Sequence, residues 1–425
     1  MAEHKTGDHI EVKAKDSTYE GTFIPSHDEK TITIKLDNGY NIGFSKKDTQ
    51  VKVIKKAEEK KQSKKILTEK KGLKKISILH CGGTVASKVD YKTGGVIASF
   101  SPEELIELFP EIKEIANIRS RLVSQMMSED MNFPNYKKIA EEIKKEADDG
   151  SDGIIITHGT DTLHYTSSAM SFMIEDSPIP VLLVGSQRSS DRGSSDAAMN
   201  LVSAIAFCAN TDFADVGICM HENSSDSYCH IIPGTKARKM HTSRRDAFRA
   251  INTKPFARIE FKTNNIEIMN DSFRKRNNEK ISIKSKMSNE VAILKTYPDM
   301  KKELFEFYTK NYKALVLEGT GLGHAPTNTK ENLENYGILK KYIEKGGIVC
   351  MTSQCIYGKV HPHVYANLRR LSNIGIIYCE DMTTETAYIK LSWLLANKEK
   401  EAKELLNKNL RGEISERIEN SEFLS

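Results

Sequence analysis

Ile76-Ser77-Ile78-Leu79-His80-Cys81-Gly82-Gly83-Thr84 and Gly153-Ile154-Ile155-Ile156-Thr157-His158-Gly159-Thr160-Asp161-Thr162 are built on one plan. In each, an aliphatic run stops at glycine and a threonine follows. A run that is apolar at successive positions, and not at alternate ones, reads as a strand buried on both faces, as in a parallel sheet. Comparable runs recur at IPVLLVG (179–185), DVGICM (215–220), ALVLEG (314–319) and GGIVCM (346–351). Helical patterns at Pro134–Asp149, Thr162–Glu175 and Ser195–Ala209 lie between them. The alternation predicts an α/β fold with mostly parallel sheets and helices on both faces. Ligands of such folds sit beyond the carboxyl ends of the strands, which is where both threonine turns fall.

Outward from this core the texture changes. Residues 1–53 hold short alternating stretches, HIEVKA, TITIKL and YNIGF, with an Asp37-Asn38-Gly39 turn, and are expected to form a small β-barrel domain. Residues 54–74 have no periodic apolar face and read as a basic linker. Lys52, Lys55, Lys56, Lys60, Lys61, Lys64, Lys65, Lys70, Lys71, Lys74 and Lys75 crowd this region against Glu58, Glu59 and Glu69. A solvated run is the simple reading, and RNA phosphates are the alternative. The first α/β domain is expected over 75–270 and the second over 311–425. Between them, 271–310 reads as a β-rich connection, with FARIEF and NNIEIMN leading into KISIKS and NEVAILKTYP.

The chain has 425 residues, 28% of them charged, and a formal net charge of +5. That composition fits a globular protein and excludes disordered and fibrous classes. No apolar run reaches the roughly 18–20 residues that span a bilayer, and MAEHKTGDHIEV has no apolar signal core. The seven cysteines are scattered and form no CxxC pair, so neither a disulfide scaffold nor a structural zinc site is expected. His361 and His363 have no third ligand at metal spacing, and no metal site is assigned. Trp393, among Leu391, Leu394 and Leu395, reads as core. A cytoplasmic location with no membrane role is the expectation.

Taken singly, each turn has an ordinary explanation. Gly-rich strand–helix turns are mostly structural, and Thr160 or Asp161 suits a helix cap. Together, about 75 residues apart at equivalent strand ends, GGTVAS and HGTDT resemble the paired signature of the asparaginase/glutaminase family. Ser128-Glu129-Asp130-Met131-Asn132 resembles the family's substrate-clamp loop. VGSQR (184–188), SSDAAMNL (194–201), ARKMHT (237–242), EGTGLGH (318–324) and DMTTET (381–386) follow in the family's order. The likeness covers roughly residues 75–400.

The chemistry fits. A carboxamide is a poor electrophile, so its hydrolysis needs an activated nucleophile, a stabilised oxyanion and a protonated leaving group. By resemblance, Thr84 is the first nucleophile, and Thr160, Asp161 and Lys239 form the base-containing group that activates a hydroxyl or water. Tyr91 would assist Thr84 from a mobile loop. Without the resemblance, Lys239 is an ordinary lysine among the basic Lys236, Arg238, Arg244 and Arg245. Asp161 would face a substrate α-ammonium and Ser128 an α-carboxylate, with Gly83 and Gly159 letting backbone approach the ligand. Glu129 is a departure, since many simple asparaginases carry glutamine there. It leaves the choice between asparagine and glutamine open.

The seventy or so residues before GGT, with Glu129, resemble the ammonia-releasing subunits of tRNA-dependent amidotransferases. The resemblance implies a kinase/transamidase partner that uses ATP and Mg²⁺ on Glu-tRNA(Gln), and a homodimer within a heterotetramer. This chain has no GxxxxGK[ST] loop, so no ATP or other cofactor is expected on it. A free cytoplasmic L-asparaginase/glutaminase is the alternative. A non-catalytic RNA-binding scaffold is the remote one.

Overall fold

The computed structural model describes residues 4–5, 7–14, 17–24, 30–36, 41–56, 69–83, 87–89, 96–98, 110–188, 195–420 and 423. Near the N-terminus, β1 (His9–Ala14), β2 (Ser17–Ile24), β3 (Thr31–Lys35), β4 (Asn41–Ser45) and β5 (Thr49–Lys55) form an antiparallel sheet in the order β4-β3-β2-β1-β5. Alternate positions point inward, so Ile10, Val12, Ile32, Ile34 and Phe44 make its core.

The main sheet has eight strands. Five are parallel and stand side by side: β7 (Asn117–Met126), β6 (Lys75–Gly82), β8 (Gly153–Thr157), β9 (Val181–Val184) and β10 (Val216–His221). β11 (Tyr228–Pro233), β14 (Ala257–Glu260) and β15 (Ile266–Ile268) extend it antiparallel beyond β10. A separate ribbon pairs β12 (Ala237–Lys239) with β13 (Phe248–Ala250). Ile154, Ile155 and Ile156 have no exposed surface, which explains the lack of alternation in the central strands. Burying such a side chain stabilises by about 1.5–3 kcal/mol.

Helices cover both faces. α1 (Phe133–Asp148) starts at a reciprocal cap: Asn135 N donates to Asn132 Oδ1 (3.2 Å), and Asn132 N donates to Asn135 Oδ1 (3.1 Å). Its buried residues Tyr136, Ile139, Ala140 and Ile143 follow helical spacing. α2 (Leu163–Met173) and α3 (Ala197–Asn210) are buried on nearly every side.

The second α/β unit contains a four-stranded parallel sheet, β16 (Val291–Lys295), β17 (Ala314–Gly319), β18 (Ile348–Ser353) and β19 (Ile377–Tyr378). Here the structure corrects the sequence reading. Val291–Lys295 and α4 (Lys302–Asn311) are the first strand and crossover helix of this unit, although 271–310 reads as a connection. Strand length and polar turns alone do not specify a partner; long-range register does. α5 (Leu333–Glu344), α6 (Ala366–Asn373) and α7 (Thr384–Asn397) complete the unit. α7 packs on α2, with the Phe172 and Trp393 rings 6.0 Å apart. Trp393 is core, and its indole donates to Lys284 O at 2.9 Å.

Residues 408–415 are fastened to α7 by a buried ion pair, Lys390 Nζ to Glu413 Oε1 at 2.6 Å, with both side chains fully buried. Glu413 also accepts the backbone amides of Leu410 and Arg411. Removing one partner of such a pair leaves the other charge uncompensated. Glu413→Gln is expected to cost about 3–5 kcal/mol of unfolding free energy, measured by denaturant titration.

Candidate active site

Beyond the ends of β6, β7 and β8, three backbone segments come into contact. Gly83 has φ +79°, and a methyl in place of its hydrogen would stand 2.5 Å from Gly159 N. A methyl on Gly159 would stand 2.7 Å from Ser128 Cβ. Only glycine tolerates this approach. Thr162 Oγ1 then ties the third segment in, donating to Ser128 O at 2.6 Å. The turn at Gly83, the HGTDT turn and the Ser128 loop are therefore one structure.

His158 stiffens the centre. Burial lowers its pKa from 6.5 to about 4, so the ring is neutral at neutral pH. Its Nδ1 lies 2.7 Å from Gly159 O and its Nε2 2.9 Å from Thr166 Oγ1. The tautomer that satisfies both carries its proton on Nδ1, donates to Gly159 O and accepts from the Thr166 hydroxyl.

Lys239, the last residue of β12, donates from Nζ to Thr160 Oγ1 at 2.8 Å and to Asp161 Oδ1 at 2.7 Å. The lysine side chain is 10% exposed and the aspartate 66% exposed. The amine is thus recessed while the carboxylate faces the open side. His164 is buried near this group, and burial, then the charges of Arg238 and Lys239, push its pKa down to about 3. Gly185, in the loop after β9, packs against the Thr160 methyl. That loop is held by Asp196, which accepts from Gln187 N (2.9 Å) and Arg188 N (3.0 Å), and by Asn200 Nδ2 donating to Gly185 O (3.0 Å).

Of the residues singled out in the sequence, Gly83, Ser128, Gly159, Thr160, Asp161 and Lys239 meet in this region, with Ser128 buried and Glu129 exposed beside it. Thr84 and Tyr91 lie outside the described residues. Sequence reasoning did not give roles to His158, Thr162, Asn200 or Asp196. The available signal was their place in the same strand-end turns and in SSDAAMNL. Among the described residues, no group of three or more His, Cys, Asp or Glu side chains is arranged to hold a metal ion. None of the described helices is long and apolar enough to cross a membrane.

A parallel sheet that brings threonine, aspartate and lysine together beyond its strand ends is the arrangement expected of asparaginase-type amidohydrolases, and the comparisons define that class. Residues 75–274 match the family "Asparaginase, N-terminal" and residues 290–406 the "Glutaminase/Asparaginase C-terminal domain". The L-asparaginase of Thermococcus kodakarensis superposes with a TM-score of 0.71 at 30% identity, covering 81% of this chain and all of that one. L-asparaginase I of Vibrio cholerae superposes at 0.69 with 29% identity, covering 81% of this chain and 99% of its own. Residues 4–54 match the "GatD N-terminal domain". The glutamyl-tRNA(Gln) amidotransferase D subunit of Thermococcus kodakarensis is 47% identical over 94% of this chain and 91% of its own length. Its counterpart from Methanococcus maripaludis strain C7 is 43% identical over 97% and 98%. The chain belongs to the family of glutamyl-tRNA(Gln) amidotransferase D subunits.

Both histidines near the site have folded pKa values below the unfolded value, so the unfolded chain binds more protons in the acid range. Their contribution to stability is complete above pH 6.5 and is lost as pH falls toward about 4 for His158 and about 3 for His164. Denaturation midpoints between pH 7 and pH 4 should fall with acidity, and His158→Asn should show a shallower dependence.

Proposed function

We propose that this chain is the glutaminase component of a tRNA-dependent amidotransferase, releasing ammonia from glutamine or asparagine for conversion of Glu-tRNA(Gln) to Gln-tRNA(Gln). The observation that carries the hydrolytic part is the recessed contact of Lys239 with Thr160 and Asp161. A threonine hydroxyl is a weak nucleophile at neutral pH and needs a base within about 2.6–3.2 Å. Acting as base, the Lys239 amine takes the proton along this same contact, and Asp161 orients it.

In this reading the Thr84 oxygen attacks the carboxamide carbon, and its proton passes to the departing nitrogen. The C–N bond breaks, ammonia leaves and an acyl ester remains. Water, deprotonated through the Thr160–Lys239 pair, attacks the ester carbon. The ester C–O bond breaks, the amino acid's side-chain carboxylate leaves and the Thr84 hydroxyl is restored. Tyr91 assists Thr84. The exposed carboxylate of Asp161, with Glu129, receives the substrate's α-ammonium, while Ser128 receives its α-carboxylate. Gly83 and Gly159 keep that approach open.

Support for the coupling to tRNA comes from the N-terminal match over residues 4–54, together with near full-length relatives named as amidotransferase components. The L-asparaginases above account for 81% of the chain. A separate partner chain supplies the ATP and Mg²⁺ chemistry that activates the γ-carboxylate, and ammonia displaces the phosphate there. The assembly is a homodimer of this chain within a heterotetramer, located in the cytoplasm.

Lys239→Met and Thr160→Val should each lower ammonia release by roughly 10²–10⁴-fold with an unchanged thermal transition. A folded Lys239→Met protein at wild-type rate rejects the mechanism. Adding the partner chain and Glu-tRNA(Gln) should raise glutamine turnover. Equal turnover with and without them would assign the chain to independent amide hydrolysis.

A further inference from the structure

The strand that carries Lys239 is weakly supported by its own sheet. Ala237–Lys239 pairs with Phe248–Ala250 in a two-stranded ribbon outside the eight-stranded sheet, and such ribbons are marginal alone. Lysine adds a flexible four-carbon stem. A base placed this way needs its backbone fixed from elsewhere, because an error of about 1 Å in a catalytic group costs roughly 100-fold in rate.

The second α/β unit provides that fixation at three points. Lys236 forms an ion pair with Asp381 Oδ2, and both side chains are 1% exposed. Arg238 is paired with Glu385 Oε1. Thr386 Oγ1 donates to the Thr235 carbonyl at 2.8 Å. All three grips come from Asp381–Thr386, the segment that opens α7, whose N-terminus is capped by Thr383 Oγ1 accepting from Thr386 N. The segment is itself anchored, since Asp381 Oδ1 accepts from Ser415 N at 2.9 Å. Thr235 Oγ1 also donates to Arg411 O at 3.2 Å. Residues 235, 236 and 238 are therefore held from the second unit, while Lys239 turns toward Thr160 and Asp161.

We infer that Asp381, with Thr386, is a positioning residue: through buried Lys236 it sets the backbone from which Lys239 reaches the site. This rests on the reading of Lys239 as the base. It makes the second α/β unit necessary for turnover even where it touches no substrate.

A purely structural role is separable. Breaking a buried pair on one side destabilises, whereas replacing both partners with apolar residues of similar size is often neutral or stabilising. In the full-length chain, the double variant Lys236→Met/Asp381→Leu is expected to stay folded, its thermal transition lowered only by loss of the hydrogen bond from Ser415 N. Its kcat for ammonia release from glutamine should fall at least tenfold, with KM within twofold. Thr386→Val, which removes the hydroxyl and its contacts with Thr235 O, Ser168 Oγ and Thr383 Oγ1 at nearly constant volume, should show a smaller fall in kcat with the same KM. Lys239→Met is the control. Abolished release in Lys239→Met, beside wild-type kcat in a folded double variant, overturns the positioning role and leaves the base assignment standing. Release that persists in Lys239→Met overturns the base itself. Should the double variant not fold, wild-type kcat in Thr386→Val overturns the positioning role.

Discussion

A backbone approach that only glycine permits governs this structure. Gly83 stands against the His158–Gly159 peptide, and Gly159 stands against Ser128. Three strand ends are thereby drawn into one wall, and every candidate functional group in the described residues is arranged around it. The parallel strands fix the spacing of those ends, and their rigidity comes from isoleucines buried on both faces. The neutral His158 then locks the turn from behind, with a carbonyl on one nitrogen and a hydroxyl on the other.

The lysine reaches this wall from another part of the chain. Its Nζ is recessed between Thr160 and Asp161, whereas the aspartate stays open. The amine is largely shielded from water, and the carboxylate is open to it. Asp381, Glu385 and Thr386 reach across from the second unit to the strand bearing the lysine. The two α/β units are therefore joined at this point.

Much of this was legible in the sequence, for identifiable reasons. The strands announced themselves because aliphatic runs ending at glycine have few other readings, and the paired threonine turns fell at their ends. The place of Lys239 beside Thr160 and Asp161 is not legible from its neighbours. Among Lys236, Arg238, Arg244 and Arg245 it is one basic residue of several, and only family order set it apart. The place of Val291–Lys295 was missed because pairing partners are decided by contacts distant in sequence. Lys236–Asp381 was missed for the same reason: the pair spans 145 residues, and neither sequence neighbourhood signals burial of a charge.

The central claim is that an amine at position 239 serves as the base. Its most direct test is chemical rescue of Lys239→Ala by small primary amines, followed as glutamate formed from glutamine. The account predicts a rate that rises with amine concentration and with amine basicity, in a variant nearly inactive without it. A folded variant that no amine rescues, or one that already turns over at the wild-type rate, would contradict it.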